Sequence, residues 1–135
     1  MNTATAAVLF GVVFSLAGLS GLFPAPPPPA APPLTVDHGH GLALGIFPVN
    51  TLHNLVHLLF GVLGFAAARN VIFSPRGYFQ LVTIAYALLT LMGLLPATHT
   101  TFGLVPIWGA DVWLHLALAA VAAYFGFGAR VPARA

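Results

Sequence analysis

Four stretches of this chain run for about twenty residues with almost no charge: about Thr3 to Phe23, Pro48 to Ala68, Gly77 to Leu95 and Pro106 to Phe127. A helix of ~20 apolar residues spans the hydrocarbon core of a bilayer. In lipid a helix is also one of the few ways for a segment to satisfy its own backbone polar groups. The chain is only 4% charged, where a soluble domain carries about 25%, so segments of this kind have no water-facing surface to hide beneath. None of the four alternates polar and apolar residues as the strands of a membrane barrel do. The expected class is therefore all-α: an integral membrane four-helix bundle in the lipid bilayer. It forms a single transmembrane domain over residues 1–135, with a proline-rich outer loop at 24–45. The first segment lacks a basic leader and exceeds the usual apolar length of a signal peptide, so it is read as a span.

Orientation rests on four arginines. Arg69 and Arg76 flank the short turn between the second and third segments, and Arg130 and Arg134 follow the fourth. The two acids, Asp37 and Asp111, fall on the opposite side. Basic residues stay cytoplasmic in short loops, which places both termini in the cytoplasm. Trp108 and Trp113 then mark the outer interface, and Tyr78 and Tyr124 the inner one. A net charge of +2 with no clustering gives no footprint for nucleic acid. With no cysteine there are no disulfides and no thiolate sites. The run from Pro24 to Pro33 favours a stiff polyproline conformation. It reads as a spacer or as a strap docking on a larger membrane-protein complex.

Polar residues interrupt the second segment in a pattern. Asn50, His53, Asn54 and His57 follow i, i+3, i+4, i+7 spacing and so share a helical face. A second copy of the pattern lies downstream. Gly45-Ile46-Phe47-Pro48 resembles Gly103-Leu104-Val105-Pro106 at an offset of 58, and the same offset carries His53 to Asp111 and His57 to His115. Gly21-Leu22-Phe23-Pro24 similarly resembles Gly93-Leu94-Leu95-Pro96. The chain thus reads as two parallel hairpin repeats, with Pro48 and Pro106 opening their second helices. Counted from those prolines at ~1.5 Å per residue, His57 and His115 lie about 13 Å from the outer end, with His53 and Asp111 about 6 Å higher.

Gly61, Gly64 and Ala68 continue the stripe of the second segment, and Ala119, Ala122 and Gly126 that of the fourth. Small residues let helices approach closely in lipid, so the second and fourth helices are expected to pack against each other through them. Thr83, Tyr86 and Thr90 share one face of the third segment. They bond back to their own helix or line the same polar pocket. Asp37-His38-Gly39-His40, with His99, is read as a solvated outer loop rather than a metal site.

The run Val49-Asn50-Thr51-Leu52-His53-Asn54-Leu55-Val56-His57-Leu58-Leu59-Phe60-Gly61, with Ala68-Arg69, resembles a family of small bacterial membrane proteins classed as domain of unknown function 4383. Asp111-Val112-Trp113-Leu114-His115-Leu116 is similar to its second motif. The resemblance implies a four-span fold in the bacterial inner membrane and brings no reaction with it.

Two roles suit the polar stripe. In the first, His53, Asn54, His57, Asp111 and His115 fix helix register by hydrogen bonds, in a structural protein or the accessory subunit of a larger membrane complex. In the second they bind a cofactor. His57 and His115 at one depth suit a bis-histidine haem with Asn50, Asn54 and Asp111 supporting the rings. Alternatively His53, His57, Asp111 and His115 offer three nitrogens and one carboxylate to a metal ion. The inner half has no polar continuation that a through-membrane relay would need. No serine–histidine–acid set or phosphate loop indicates an enzyme.

Overall fold

Each of the first three helices begins where a side chain takes over a free backbone amide. In the computed structural model, which describes residues 1–128, Asn2 caps helix α1 (Thr3–Ser20) by accepting from Thr5 N at 2.8 Å. Asn50 caps α2 (Thr51–Ala68) by accepting from His53 N at 2.8 Å. Ser74 caps α3 (Pro75–Leu94), whose first turn holds a proline that loses no amide there. Helix α4 (Ala110–Ala123) follows Gly109, whose φ of 67° ends the preceding loop, and closes in a π-helical turn at Tyr124–Gly128. All four are long and apolar enough to cross a membrane, α4 with its π turn included. The fold is an all-α four-helix bundle with one small sheet. That sheet pairs β1 (Gly41–Ala43) with β2 (Phe47–Val49), antiparallel.

The sheet corrects the expected helix starts. Pro48 lies within β2, and Pro106 precedes α4 by four residues, so neither opens a helix. The physical reason is local. Pairing with β1 holds residues 47–49 extended until Asn50 can cap, and Gly109 performs the corresponding break before α4. Both prolines are fully buried.

Helix α1 packs mainly on α2, and α3 on α4. The small residues expected to join α2 to α4 instead close each hairpin. A Cβ on Gly64 would stand 2.9 Å from Ala7 O, and one on Gly61 3.0 Å from Gly11 O, both on α1. A Cβ on Gly126 would stand 2.9 Å from Gln80 N on α3. Aromatic rings fill the space between hairpins: Phe10 lies 5.0 Å from Phe79, Phe14 5.2 Å from Tyr86 and Phe60 5.5 Å from Tyr86. Tyr78 belongs to this layer rather than to the inner interface, since it is buried and donates its hydroxyl to Phe60 O at 3.1 Å. A buried phenol needs such a partner, and the carbonyl of a neighbouring helix supplies it.

The buried positions recur. Ala6, Ala7, Phe10, Phe14 and Gly18 of α1 correspond at an offset of 72 to Tyr78, Phe79, Val82, Tyr86 and Thr90 of α3, all buried. His53, Asn54, His57, Gly61 and Gly64 of α2 correspond at an offset of 58 to Asp111, Val112, His115, Ala119 and Ala122 of α4, again all buried. The left-handed pair Leu44 (φ 53°) and Gly45 (φ 76°) has its counterpart in Phe102 (φ 59°) and Gly103 (φ 86°).

The long outer loop folds back on the bundle. Ala25 exchanges backbone hydrogen bonds with Leu42 at 2.9 and 2.8 Å. Thr35 N and Val36 N donate to Gly103 O at 2.8 and 3.1 Å, which ties this loop to the one between α3 and α4. Pro26 to Pro29 remain exposed between those anchors. At the opposite end Arg76 Nε donates to Gly126 O at 2.9 Å. Arg130 and Arg134, used for the orientation, lie outside the described residues.

Candidate functional site

Because Asn50 sets the start of α2, His53 falls in its first turn and His57 one turn later. In α4 the same i, i+4 spacing presents Asp111 and His115. All four side chains are buried, none more than 5% exposed. They meet at the end of the bundle opposite the Arg69–Arg76 turn. One ring nitrogen from each of His53, His57 and His115 lies within 4.8 Å of the others. Asp111 Oδ2 stands 3.4 Å from His115 Nε2 and 4.0 Å from His53 Nε2. The rings of His53 and His57 are 4.5 Å apart. Each lower histidine rests on an aromatic ring: His57 stacks on Phe14 at 6.0 Å, and His115 meets Tyr86 edge-on at 4.9 Å.

These groups do not hydrogen-bond one another. His53 Nδ1, His57 Nδ1, both ring nitrogens of His115 and Asp111 Oδ2 are buried without a partner. Each such atom costs about 1–3 kcal/mol when left unpaired, and here five of them share one region. The spacing is also wrong for hydrogen bonds, which run ~2.7–3.2 Å. The 3.4 Å from Asp111 Oδ2 to His115 Nε2 matches neighbouring ligands of one tetrahedral ion, whose donor atoms at ~2.1 Å stand about 3.4 Å apart, and the other ligands, at 4.0 Å and up to 4.8 Å, would draw in to bind it. Three neutral imidazoles and a carboxylate are a common donor set for such an ion.

The structure divides the residues singled out in the sequence. It brings together His53, His57, Asp111 and His115. It turns the two asparagines elsewhere, although both are buried. Asn50 is the cap itself and donates through Nδ2 to Val36 O and Leu104 O, both at 2.7 Å. Asn54 donates to Gly21 O at the end of α1 at 2.8 Å. Neither supports an imidazole, so the expected single polar face of α2 is split between two neighbours. Thr83 and Thr90 bond back to Phe79 O and Tyr86 O, each at 2.7 Å, the local arrangement open to them on a helix. His38 Nδ1 pairs with Thr51 Oγ1 at 2.8 Å, in the loop beside the start of α2. Among the described residues the three buried histidines are the cluster with metal-ligand spacing.

A cavity of about 130 Å³ adjoins the histidines and is walled largely by Val56, Leu89, Val105 and Ile107. Sequence reasoning passed over these residues because aliphatic side chains carry no chemical signature. Tyr86, which the sequence already offered as a wall of the polar pocket, does border the cavity, as the counterpart of Phe14 at the offset of 72.

Comparison with known proteins adds a family. The model described as Domain of unknown function (DUF4383) matches residues 4–128, and the chain belongs to that family. No curated protein and no solved structure matches it.

Proposed function

We propose that this member of the DUF4383 family is a multi-pass bacterial inner-membrane protein that holds one transition-metal ion between His53, His57, Asp111 and His115. The observation that carries the reading is the gathering of three buried imidazoles, with ring nitrogens within 4.8 Å of one another, and a carboxylate 3.4 Å from one of them, five of whose polar atoms have no hydrogen-bond partner. A purely hydrogen-bonded clasp would pair those atoms. A haem between His57 and His115 suits the site less well. His53 and Asp111 lie against the same two rings, and the adjoining space is about 130 Å³, whereas pockets for large ligands run to ~300–1,000 Å³.

The ion would join the two hairpins. Each contributes two ligands one helical turn apart, from positions that correspond at an offset of 58, which supports reading the hairpins as internal repeats about a shared axis. Binding free energy at such a site becomes stability of the fold. The role is therefore binding and structural rather than enzymatic. Arg69 and Arg76 at the α2–α3 turn support a cytoplasmic position for that turn and for both termini. The exposed proline run, held at both its ends, offers a stiff edge to a neighbouring subunit, which suits an accessory subunit of a membrane complex.

Metal analysis of the detergent-purified protein tests the reading. About one ion per chain is expected, with cobalt(II) substitution giving the visible bands of a tetrahedral or five-coordinate site. His115→Ala should abolish both. A folded wild-type protein that takes up neither zinc, copper, iron nor cobalt would overturn it.

A further inference from the structure

The cavity beside the histidines is placed to let a second molecule reach the ion. It touches His53, His57 and His115 but not Asp111. An ion held by the four side chains therefore has the carboxylate on one side and the cavity on another. Metal sites that react keep one position open, and four-coordinate zinc sites can expand to five. The remaining walls decide what can occupy that position. Val56, Leu89, Val105 and Ile107 give the space an apolar body, with no charged side chain along it. At about 130 Å³ it is slightly smaller than an apolar protein cavity of ~150 Å³ that stays dry and takes up benzene or xenon. An anion could meet the ion itself, but with only the Thr101 and Tyr86 hydroxyls beside it the rest of its water would go unreplaced.

The mouth also selects. Val56, Leu89 and Val105 are half-buried, whereas Ile107 at the back is fully buried. Val56 and Leu89 put the opening between α2 and α3, which touch sparingly, with Val105 of the α3–α4 loop at its edge. Val56 is five residues into α2 and Leu89 five residues before the end of α3, about 8 Å inside each helix end. For helices of membrane-spanning length that depth falls inside the hydrocarbon layer.

We propose that the site, on the metal-binding reading above, is an open coordination position for a neutral, lipid-soluble molecule no larger than benzene, entering sideways from the bilayer. Carbon monoxide is a suitable probe. It is small, neutral and soluble in lipid, and it reports its binding to cuprous ion by an infrared stretching band. Nitrogen and oxygen donor sets hold copper tightly among first-row metals, and ascorbate reduces it in place.

The experiment loads the full-length protein with copper, reduces it and titrates with carbon monoxide. One carbonyl per copper is expected, the cuprous ion keeping its three histidines and releasing the Asp111 carboxylate so as to stay four-coordinate; before reduction, the cupric site should take up no azide, an anion of comparable size. Leu89→Trp and, independently, Val56→Phe fill the cavity without touching a ligand. Each should keep the copper and lose at least tenfold in carbonyl affinity. Copper bound without a carbonyl would overturn the open position alone, as would a carbonyl indifferent to both substitutions. Azide bound by the cupric site would overturn the neutral ligand class. A chain that binds no copper or any other metal would overturn the metal reading and this one with it.

Discussion

Asp111 Oδ2 and His115 Nε2 are one helical turn apart and separated by 3.4 Å, yet share no hydrogen bond. Replacing the carboxylate by an amide of the same shape separates two accounts of that geometry. If the oxygen is a metal ligand, Asp111→Asn should weaken metal affinity 10-fold or more, read by competition with a chromophoric chelator. The metal-free protein should melt unchanged, because the oxygen has no bond to lose. A clear fall in metal-free stability with metal affinity intact would point to a hydrogen-bonded role instead.

Metal should raise thermal stability in proportion to its occupancy. Free ion at about 100 times its Kd stabilises a folded protein by ~2.7 kcal/mol when the unfolded chain does not bind it. The melting temperature of the detergent-solubilised protein should rise with added zinc. His57→Ala should remove that dependence while keeping the helical circular-dichroism signal.

Within each hairpin the packing leaves no room for a side chain. A Cβ at position 64 would press to 2.9 Å from Ala7 O and 3.0 Å from the Gly11 backbone. Gly64→Val should therefore force α1 from α2, with a loss of about 1–3 kcal/mol typical of overpacking. The loss should exceed that of Gly64→Ala, measured by thermal melting of both variants in one detergent.

Two corresponding turn glycines should respond differently. Both adopt left-handed φ angles, 76° at Gly45 and 86° at Gly103. A Cβ at Gly45 meets nothing within 4 Å, whereas one at Gly103 would stand 2.6 Å from Thr35 Oγ1. Gly45→Ala should lose only the ~1–2 kcal/mol of left-handed strain. Gly103→Ala should lose more, and should speed hydrogen exchange at the Thr35 and Val36 amides that bond to residue 103.

Orientation can be read by labelling, since the chain contains no cysteine of its own. Val71 and Phe23 are exposed at opposite ends of the bundle. Phe23→Cys should react with an impermeant maleimide in intact cells. Val71→Cys should react only after the membrane is opened. The reverse pattern would invert the topology.

The four spans were legible because twenty apolar residues in a row have few alternatives. The cluster was legible for a different reason: the offset of 58 pairs His57 with His115 and His53 with Asp111 in the sequence alone. Helical spacing reports which residues share a side of a helix but not which neighbour that side meets. Asn54 and His57 looked equivalent on that measure, yet Asn54 turns to Gly21 and His57 to the cluster. The stripe at Gly61 and Gly64 was visible, but only the structure shows that α1 covers it. Pro48 misled because proline is equally at home in a first helical turn and in an edge strand. The backbone pairing of Gly41 with Val49, a contact between separate stretches, decided between them.

Thr35 and Val36 clasp Gly103 across the end of the bundle nearest the histidines, and Asn50 holds Val36 and Leu104 from below. The consequence concerns escape rather than affinity. On the metal-binding reading, an ion seated beneath that latch would reach water mainly when the latch peels open. Removal by a hydrophilic chelator should then level off at high chelator concentration, at the rate of opening. A chelator that dissolves in the bilayer should bypass the latch and keep accelerating. How long the protein keeps its metal would thus be set by two loops that never touch it.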